Sequence, residues 1–253
     1  MTGHRDLSVA ILAAGQGKRM GNPDLAKVLA PLFGKPLLGY VLEQASELHP
    51  TNVVVIIGHQ RDAVRSFVAQ AAPHAICVVQ DQQLGTGHAV LQTAPVLENT
   101  DTDVIILSGD VPLLTSSTLQ ELVARHRSVH AVATVLTAIV PDPTGYGRII
   151  RDNNGHLQAI VEHKDATPEQ LAVNEINSGV YVVHSTELFR ALTNVTNSNA
   201  QGEFYLTDII SILQREKRVV EAWCAPSWEE IHGINTVTDL ERAAQLLNER
   251  SIA

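Results

Sequence analysis

Residues 7–15 read Leu-Ser-Val-Ala-Ile-Leu-Ala-Ala-Gly, and residues 16–21 continue with Gln-Gly-Lys-Arg-Met-Gly. The apolar run at 7–12 lacks alternation, which is typical of a strand covered on both faces, as in a parallel sheet. Small residues and glycines follow it directly, and they allow backbone N–H groups to approach a phosphate or a base closely. The stretch therefore predicts a buried strand that leads into a tight glycine loop.

The rest of the first half repeats an alternation of strands and helices. Short, mostly β-branched runs lie at 53–57, 76–79 and 104–107. Apolar stripes with helical spacing lie between them; Pro36 is predicted as a first helical residue, and the cluster 115–117 is predicted to cap a helix. Repeated strand–helix–strand units predict a doubly wound α/β domain.

The second half has a different pattern, in which turn-rich segments separate the strands. Strands are predicted at 131–138, 147–151, 157–162, 176–183 and 219–223, with helices near Leu188 and Ile209 and a last helix capped at Asn235 or Thr236. We therefore expect an α/β fold with a Rossmann-like, doubly wound, mostly parallel sheet and a smaller α+β lobe packed against it.

Composition excludes several classes of protein. The chain has 253 residues, 45% hydrophobic and 18% charged, with a formal net charge of −9, which is too apolar for a disordered chain. No apolar run approaches the roughly 20 residues that span a bilayer, and residues 1–6 are polar, unlike a signal peptide. Two cysteines supply no disulfide framework, and acidic charge with 4% aromatic residues disfavours nucleic-acid binding. We expect a cytoplasmic protein with no nucleic-acid or membrane partner.

The glycine loop carries a local excess of positive charge. Between residues 16 and 35 lie Lys18, Arg19, Lys27 and Lys35 but only one acid, Asp24. A tight turn with solvated basic residues and a nucleoside-triphosphate loop both fit this pattern. A dinucleotide fingerprint does not, because position 20 is not glycine and no acid ends the second strand. A Walker-type loop also fails, since no Gly-Lys-Ser/Thr closes it.

One carboxylate is a candidate for holding a divalent ion. Asp110 follows the buried run 104–107 through Ser108 and Gly109, at the carboxyl end where open α/β sheets bind ligands. A turn-forming aspartate accounts for the same position, and position alone leaves both alternatives open. Asn235 directly precedes the last helix, and its position by itself indicates a helix cap.

From residue 9 to about residue 247 the sequence resembles, in register, the uridylyltransferase domain that makes UDP-N-acetylglucosamine from N-acetylglucosamine-1-phosphate. That domain is the N-terminal half of a bifunctional enzyme in many bacteria. The shared segments are the glycine loop and residues 27–29, 34–37, 83–89, 109–113, 142–149, 161–165, 175–179, 202–208 and 233–235. One such motif is weak, whereas this many in the same order are highly specific.

The resemblance implies a transfer of UMP from UTP to a sugar-1-phosphate, with Mg²⁺ as cofactor and UTP and N-acetylglucosamine-1-phosphate as substrates. It implies catalytic roles for Arg19, Lys27 and Asp110, and metal ligation by Asp110 and Asn235. The implied nucleotide-binding residues are Leu12, Ala13, Ala14, Gly15, Gln80, Gln83, Gly85 and Thr86. The implied sugar-binding residues are Thr86, Gly147, Glu162, Asn177, Tyr205 and Thr207.

The same resemblance predicts one nucleotidyltransferase domain over residues 1–253. Its nucleotide-binding lobe is expected at about 7–130, its sugar-binding lobe at about 131–235 and its C-terminal helix at 236–253. The sequence lacks the hexapeptide pattern of the acetyltransferase β-helix, so we expect one reaction only and make no prediction of the oligomeric state.

Some positions depart from the family pattern. Ala26 stands where relatives usually have proline, and Ser108 replaces a commonly aromatic residue beside Asp110. A related nucleotidyltransferase that uses another sugar or base therefore remains an alternative. A non-catalytic sensor of nucleotide sugars is a second alternative, and a nicotinamide oxidoreductase is a distant third.

Overall fold

The structure is a computed structural model that describes residues 5–15 and 25–252, with the backbone alone for residues 251 and 252. The strands are β1 (Leu7–Ala13), β2 (Pro31–Leu32), β3 (Lys35–Pro36), β4 (Asn52–Ile57), β5 (Ile76–Val79), β6 (Asp103–Ser108), β7 (Ala133–Ile139), β8 (Arg148–Arg151), β9 (Leu157–Val161), β10 (Glu175–His184) and β11 (Val220–Cys224). The helices are α1 (Leu37–Ser46), α2 (Arg61–Ala71), α3 (Thr86–Leu91), α4 (Ala94–Leu97), α5 (Ser116–Ser128), α6 (Pro168–Leu171), α7 (Ser185–Leu192), α8 (Asp208–Arg215) and α9 (Val237–Ile252).

The main sheet runs in the order β11-β7-β10-β6-β1-β4-β5. Strands β5, β4, β1 and β6 are parallel to one another, and β7 and β11 are parallel to each other. Strand β10 is antiparallel to both β6 and β7, and β8 and β9 form a hairpin that pairs with β10. The predicted fold class, a mostly parallel doubly wound sheet with a smaller α+β addition, is confirmed.

Both faces of the sheet are buried, which explains the unbroken apolar runs. In β1, Val9 and Ile11 contribute to the core on one face and Ala10 to the core on the other, each with 0% exposure. Because side chains alternate across a strand, a run without polar positions can only be accommodated between two covering layers. The helices α1, α2 and α5 cover one face, and α3, α7 and α8 cover the other.

Two helix starts refine the sequence predictions. Thr115 is the N-cap of α5, and its side-chain oxygen accepts a hydrogen bond from the Thr118 N–H at 3.2 Å, as the polar cluster predicted. Pro36 was predicted as a first helical residue, and this is wrong by one position. The helix begins at Leu37, and Pro36, with φ −56° and ψ 145°, is its extended N-cap and the last residue of β3.

The last helix packs beside the hairpin β2–β3 rather than on the sheet. Ala243 and Leu246 of α9 join Leu32, Leu37 and Leu113 in a third apolar cluster. This docking brings the start of α9 next to the segment that follows β6. Within the described residues, no helix is long and apolar enough to cross a membrane.

A buried ion-pair cluster joins the amino ends of the central strands. The Asp103 side chain is 1% exposed, and its Oδ2 accepts a hydrogen bond from Arg127 Nε at 2.8 Å. Burial opposes ionisation of Asp103, but hydrogen bonds from His126 and Arg127 outweigh it and lower the pKa. A carboxylate with a lowered pKa stabilises the fold above its unfolded pKa, and this stabilisation is lost as pH falls through the folded pKa.

We expect Asp103→Asn to lower the free energy of unfolding by about 2–4 kcal/mol at pH 7, because it removes a buried carboxylate and leaves the partly buried Arg127 guanidinium without its counter-charge. Urea unfolding followed by circular dichroism measures this loss, which should shrink as pH falls below about 4. The control is Asp62→Asn, whose carboxylate is exposed on α2 and whose loss should cost less than about 0.5 kcal/mol. Equal effects of the two substitutions at pH 7 would contradict the assignment.

Candidate active site

The candidate site lies at the carboxyl ends of the central parallel strands. Leu12 pairs with Ser108 where β1 and β6 lie side by side, so the segments that follow these two strands leave the sheet next to each other. The Gly109 N–H donates to the Leu12 carbonyl oxygen at 2.9 Å, and a Cβ at Gly109 would lie 3.1 Å from that oxygen. This close approach sets Asp110 beside the segment that leads into the glycine loop.

Three side chains meet at this edge around one positive charge. Lys27 begins the short 3₁₀ turn Lys27–Leu29, and its ammonium forms an ion pair with Asp110 Oδ2. The same ammonium donates to Asn235 Oδ1 at 2.9 Å. The Lys27 and Asp110 side chains are only 15% and 17% exposed. Two of the predicted catalytic residues and both predicted metal ligands therefore form one contiguous cluster.

The structure shows that Asn235 does not cap the last helix. Thr236 caps α9, since its Oγ1 accepts from the Asp239 N–H at 3.1 Å while Asp239 Oδ2 accepts from the Thr236 N–H at 2.8 Å. Asp239 Oδ2 also accepts from the Asn235 N–H at 2.9 Å. The Asn235 side-chain oxygen has no capping role and is directed to Lys27. The Ile234 N–H donates to the Asp110 carbonyl at 2.9 Å, which holds the two segments together.

The Asp110 and Asn235 oxygens satisfy the chemical requirement for a divalent ion. Both bind a single cationic atom, and carboxylate and amide oxygens are the ligands that Mg²⁺ accepts in proteins. Within residues 5–15 and 25–250, no group of three or more His, Cys, Asp or Glu is placed to hold a metal. An ion at this cluster would therefore complete its coordination with phosphate oxygens or water.

The predicted nucleotide-binding segments contact one another. Gln83 Nε2 donates to the Ala14 carbonyl at 2.6 Å, which joins the loop after β5 to the loop after β1. Gln80 is 4% exposed, and its Nε2 donates to the Gly85 carbonyl at 3.1 Å and to His88 Nδ1 at 3.1 Å. The Gln80 amide therefore supports the loop from within, whereas Gln83 and Gly15 are exposed among the described residues.

A tight backbone contact joins the nucleotide loop to the segment that carries the sugar residues. The Gly87 N–H donates to the Phe204 carbonyl, and the Phe204 N–H donates to the Leu84 carbonyl, both at 2.8 Å. Gly85 lies between these bonds with φ +111°, and a Cβ there would lie 2.6 Å from the Phe204 carbonyl oxygen. Thr86 Oγ1 accepts from the Leu206 N–H at 3.1 Å. Glycine is required at 85 both by backbone conformation and by space.

Four of the predicted sugar residues lie together. Thr207 Oγ1 donates to Glu162 Oε1 at 3.3 Å, and a Cβ at Gly147 would lie 3.4 Å from the same carboxylate oxygen. The Asn177 N–H donates to the Gly147 carbonyl at 2.9 Å. Tyr205 is placed differently. Its hydroxyl donates to Asp165 Oδ2 at 3.2 Å and accepts from Gln201 Nε2 at 2.9 Å, so its polar end is engaged beside the group.

Carboxylates crowd around this group. Burial raises the pKa of Glu162, and the negative charges of Asp165, Asp208 and Glu203 raise it further, against the hydrogen bond from Thr207. Burial and Asp165 likewise raise the pKa of Asp208. A buried carboxylate among like charges gains from any hydroxyl or amide that donates to it, so the group is suited to a polyhydroxylated ligand.

Comparison with known proteins identifies the family of this chain. The family model for the MobA-like NTP transferase domain matches residues 9–207. The chain belongs to this family. It is 45% identical over 240 residues to the bifunctional protein GlmU of Geobacillus thermodenitrificans, covering 95% of the chain and 51% of the relative. It is also 45% identical over 244 residues to bifunctional protein GlmU of Desulfotalea psychrophila, covering 96% of the chain and 71% of the relative.

The chain thus spans about half the length of most of these curated relatives. Among solved structures it is similar to UDP-glucose pyrophosphorylase complexed with UDP-glucose, with a TM-score of 0.78 and 17% identity, over 97% of this chain and 99% of that one. At this identity the likeness concerns the fold alone, and the shared fold is that of the NTP transferases.

Two basic residues of the glycine loop, Lys18 and Arg19, lie outside the described residues, so their predicted roles stay predictions.

The structure also shows contacts near the site that the sequence did not predict. Tyr146 packs beside the cluster, where burial together with the charges of Asp239 and Asp110 raises its pKa. His163 Nδ1 accepts from the Gly145 N–H at 3.3 Å and holds the 144–147 turn. Both belong to motifs that the family shares, which is the one sequence signal that could have pointed to them.

We expect Gly85→Ala to lower the free energy of unfolding by about 3 kcal/mol or more, because a left-handed backbone and a collision with Phe204 add together. Gly155→Ala is the matched control: Gly155 also has positive φ, +83°, but its Cβ would meet nothing within 4 Å. That substitution should cost about 1 kcal/mol. Thermal and urea unfolding of both variants measure the difference. Equal losses would show that the Phe204 contact contributes nothing.

Proposed function

We propose that the protein forms UDP-N-acetylglucosamine and pyrophosphate from UTP and N-acetylglucosamine-1-phosphate. A phosphate oxygen of the sugar-1-phosphate attacks the α-phosphorus of UTP, a new P–O bond forms, and the bond to the β-phosphate oxygen breaks. The proposed domain has a nucleotide lobe at about 7–130, a sugar lobe at about 131–235 and a C-terminal helix. The expected cytoplasmic location is part of the same proposal.

One observation carries this proposal: Lys27, Asp110 and Asn235 converge on a single cation position at the carboxyl edge of an NTP transferase sheet. The two substrates bring roughly six negative charges at neutral pH, and they repel each other on approach. The nucleophile arrives ionised, so no side chain needs to activate it. What the reaction requires is neutralisation of charge and in-line positioning.

The residues of the cluster meet the first requirement. Asp110 and Asn235 would hold Mg²⁺ through their side-chain oxygens, and the ion, when bound, neutralises phosphate charge and orients the phosphate oxygens. Lys27 supplies a positive charge beside them, and Arg19 is proposed to do the same from the glycine loop. These charges stabilise the negative charge that develops on the α-phosphate and on the departing pyrophosphate.

The loops after β1 and β5 are proposed to position the nucleotide, which is the second requirement of the reaction. We assign contacts with the uracil and ribose to the backbone of Leu12, Ala13, Ala14 and Gly15, together with Gln83, Gly85 and Thr86. The buried Gln80 is proposed to serve the same site by holding this loop in place. Gln83 already donates a hydrogen bond to the Ala14 carbonyl and so links the two loops. The same side-chain amide, which can both donate and accept, is proposed to contact the edge of the uracil base.

The group around Glu162 is proposed to bind the sugar. The Glu162 carboxylate would accept from sugar hydroxyls, and Asn177 and Thr207 would supply further polar contacts. At Gly147 the lack of a side chain keeps free the space next to the carboxylate, where the sugar ring or its N-acetyl group would lie. Thr86 and Tyr205 complete the proposed set at its margin.

The decisive experiment measures pyrophosphate release over a panel of nucleoside triphosphates and sugar-1-phosphates. We expect turnover to require UTP, N-acetylglucosamine-1-phosphate and Mg²⁺ together. Another productive pair would place the protein among related sugar nucleotidyltransferases. No turnover with any pair would reject the enzymatic proposal in favour of a sensor, and tight NADH binding would favour an oxidoreductase.

Variants locate the reaction within the site. Asp110→Asn and Arg19→Ala should each lower kcat about 10²–10³-fold, the order expected when one group that stabilises transition-state charge is lost. Asp62→Asn, remote on α2, should leave kcat unchanged. Circular dichroism of each variant shows whether the fold is retained. Full activity of a folded Asp110→Asn would remove this residue from the reaction.

The raised pKa of Glu162 predicts that its ionised carboxylate lowers the stability of the fold while it strengthens binding of the sugar. A carboxyl whose folded pKa exceeds its unfolded pKa loses stability as pH rises through that range. Glu162→Gln should therefore abolish this decline, which begins as pH rises above about 4.5. It should also raise KM for the sugar-1-phosphate about tenfold or more through loss of a charged hydrogen bond. Urea unfolding and steady-state kinetics test both effects. The exposed Glu241→Gln should change neither.

A further inference from the structure

The Lys27 ammonium lies where a divalent ion would need to lie. It contacts Asp110 Oδ2 and donates to Asn235 Oδ1 at 2.9 Å, and these are the two oxygens proposed to hold Mg²⁺. A divalent ion that bound both oxygens with the lysine still in place would stand in direct contact with an ammonium group. Like charges at contact distance repel strongly in a partly buried site.

Among the described residues, Lys27 already neutralises the charge of Asp110. Asp110 carries one negative charge and Lys27 one positive charge. The nearby carboxylate of Asp239 is occupied by the N–H groups of Asn235 and Thr236, and its other oxygen lies 3.2 Å from His232 Nε2. An arriving ion therefore meets a neutral Lys27–Asp110 pair in the free protein. The two oxygens proposed to hold the ion, Asp110 Oδ2 and Asn235 Oδ1, are already bound to the ammonium.

The lysine side chain can leave without moving the backbone. The turn that carries it is held by a hydrogen bond from the Ala30 N–H to the Lys27 carbonyl at 3.0 Å and by Val28, which is 4% exposed. The four-carbon stem of lysine reorients by rotation about its own bonds, and its ammonium binds phosphate oxygens as readily as carboxylate oxygens. A triphosphate bound beside the cluster offers such oxygens.

We propose that Lys27 and the divalent ion alternate at one cation position, so that the free protein holds its lysine there and the metal binds only when triphosphate oxygens take up the ammonium. This inference rests on the proposed function for its metal and its nucleotide. It makes binding of the two ligands strongly cooperative, because each removes an obstacle to the other, and that coupling is reciprocal.

The test is the affinity of the full 253-residue chain for Mn²⁺ without nucleotide, measured from the electron paramagnetic resonance signal of free Mn²⁺. Lys27→Met should bind Mn²⁺ at least about tenfold more tightly than wild type, since a like charge is removed from contact distance. Lys35→Met is the matched control, because its ammonium pairs with Glu43 and lies over the Tyr40 ring, and it should bind Mn²⁺ like wild type. Adding Asp110→Asn to Lys27→Met should abolish the gain.

Equal or weaker Mn²⁺ binding by a folded Lys27→Met would overturn the inference. If the methionine variant fails to fold, Lys27→Gln serves instead, because its neutral amide can still donate to the two oxygens. The outcome is separable from that of the proposed function. A negative substrate panel with tighter Mn²⁺ binding would reject the function alone, whereas a positive panel with unchanged Mn²⁺ binding would reject the alternation alone.

Discussion

The hydrogen bond from the Gly109 N–H to the Leu12 carbonyl joins the ends of the two central strands, and the candidate site depends on it. It favours a residue without a side chain at 109, since a Cβ would lie only 3.1 Å from the carbonyl oxygen that the N–H bonds. It places Asp110 next to the start of the glycine loop. The Asp110 carbonyl in turn accepts from the Ile234 N–H, so Asn235 is positioned through the same chain of contacts.

A second constraint brings the two proposed binding regions together. Phe204 is bonded through its N–H and its carbonyl to the loop after β5, on either side of Gly85. Residues 205–207 follow at once and reach Glu162 through Thr207. Because neither glycine at 85 and 87 has a side chain, the two backbones pack directly against each other. The distance between the proposed base and sugar contacts is thereby held by main-chain bonds rather than by mobile side chains.

Local sequence was enough to predict most of the fold. Both-face burial leaves unbroken apolar runs, and these located β1, β4 and β6 within one residue. The apolar run 76–79 also located β5, although this edge strand is partly exposed. It was not enough to predict that β10 runs antiparallel between β6 and β7, because the direction of a strand is set by its neighbours and by the connection that precedes it. Helix starts were similarly ambiguous where β3 ends directly at α1, so that Pro36 serves both elements.

The candidate site, like the fold, could be predicted from the sequence only in part. Asp110 could be singled out because it follows a buried strand, and the excess of basic residues near Lys27 indicated a phosphate site. Neither signal shows that Lys27 bonds residues 83 and 208 positions away in the chain. The sequence by itself determined the strands, the loops and the chemical type of each side chain, because these follow from local burial and backbone preference. Only the tertiary structure decided that the Asn235 side-chain oxygen accepts from Lys27 and that Lys27 occupies the cation position, because both depend on the docking of α9 beside the end of β6.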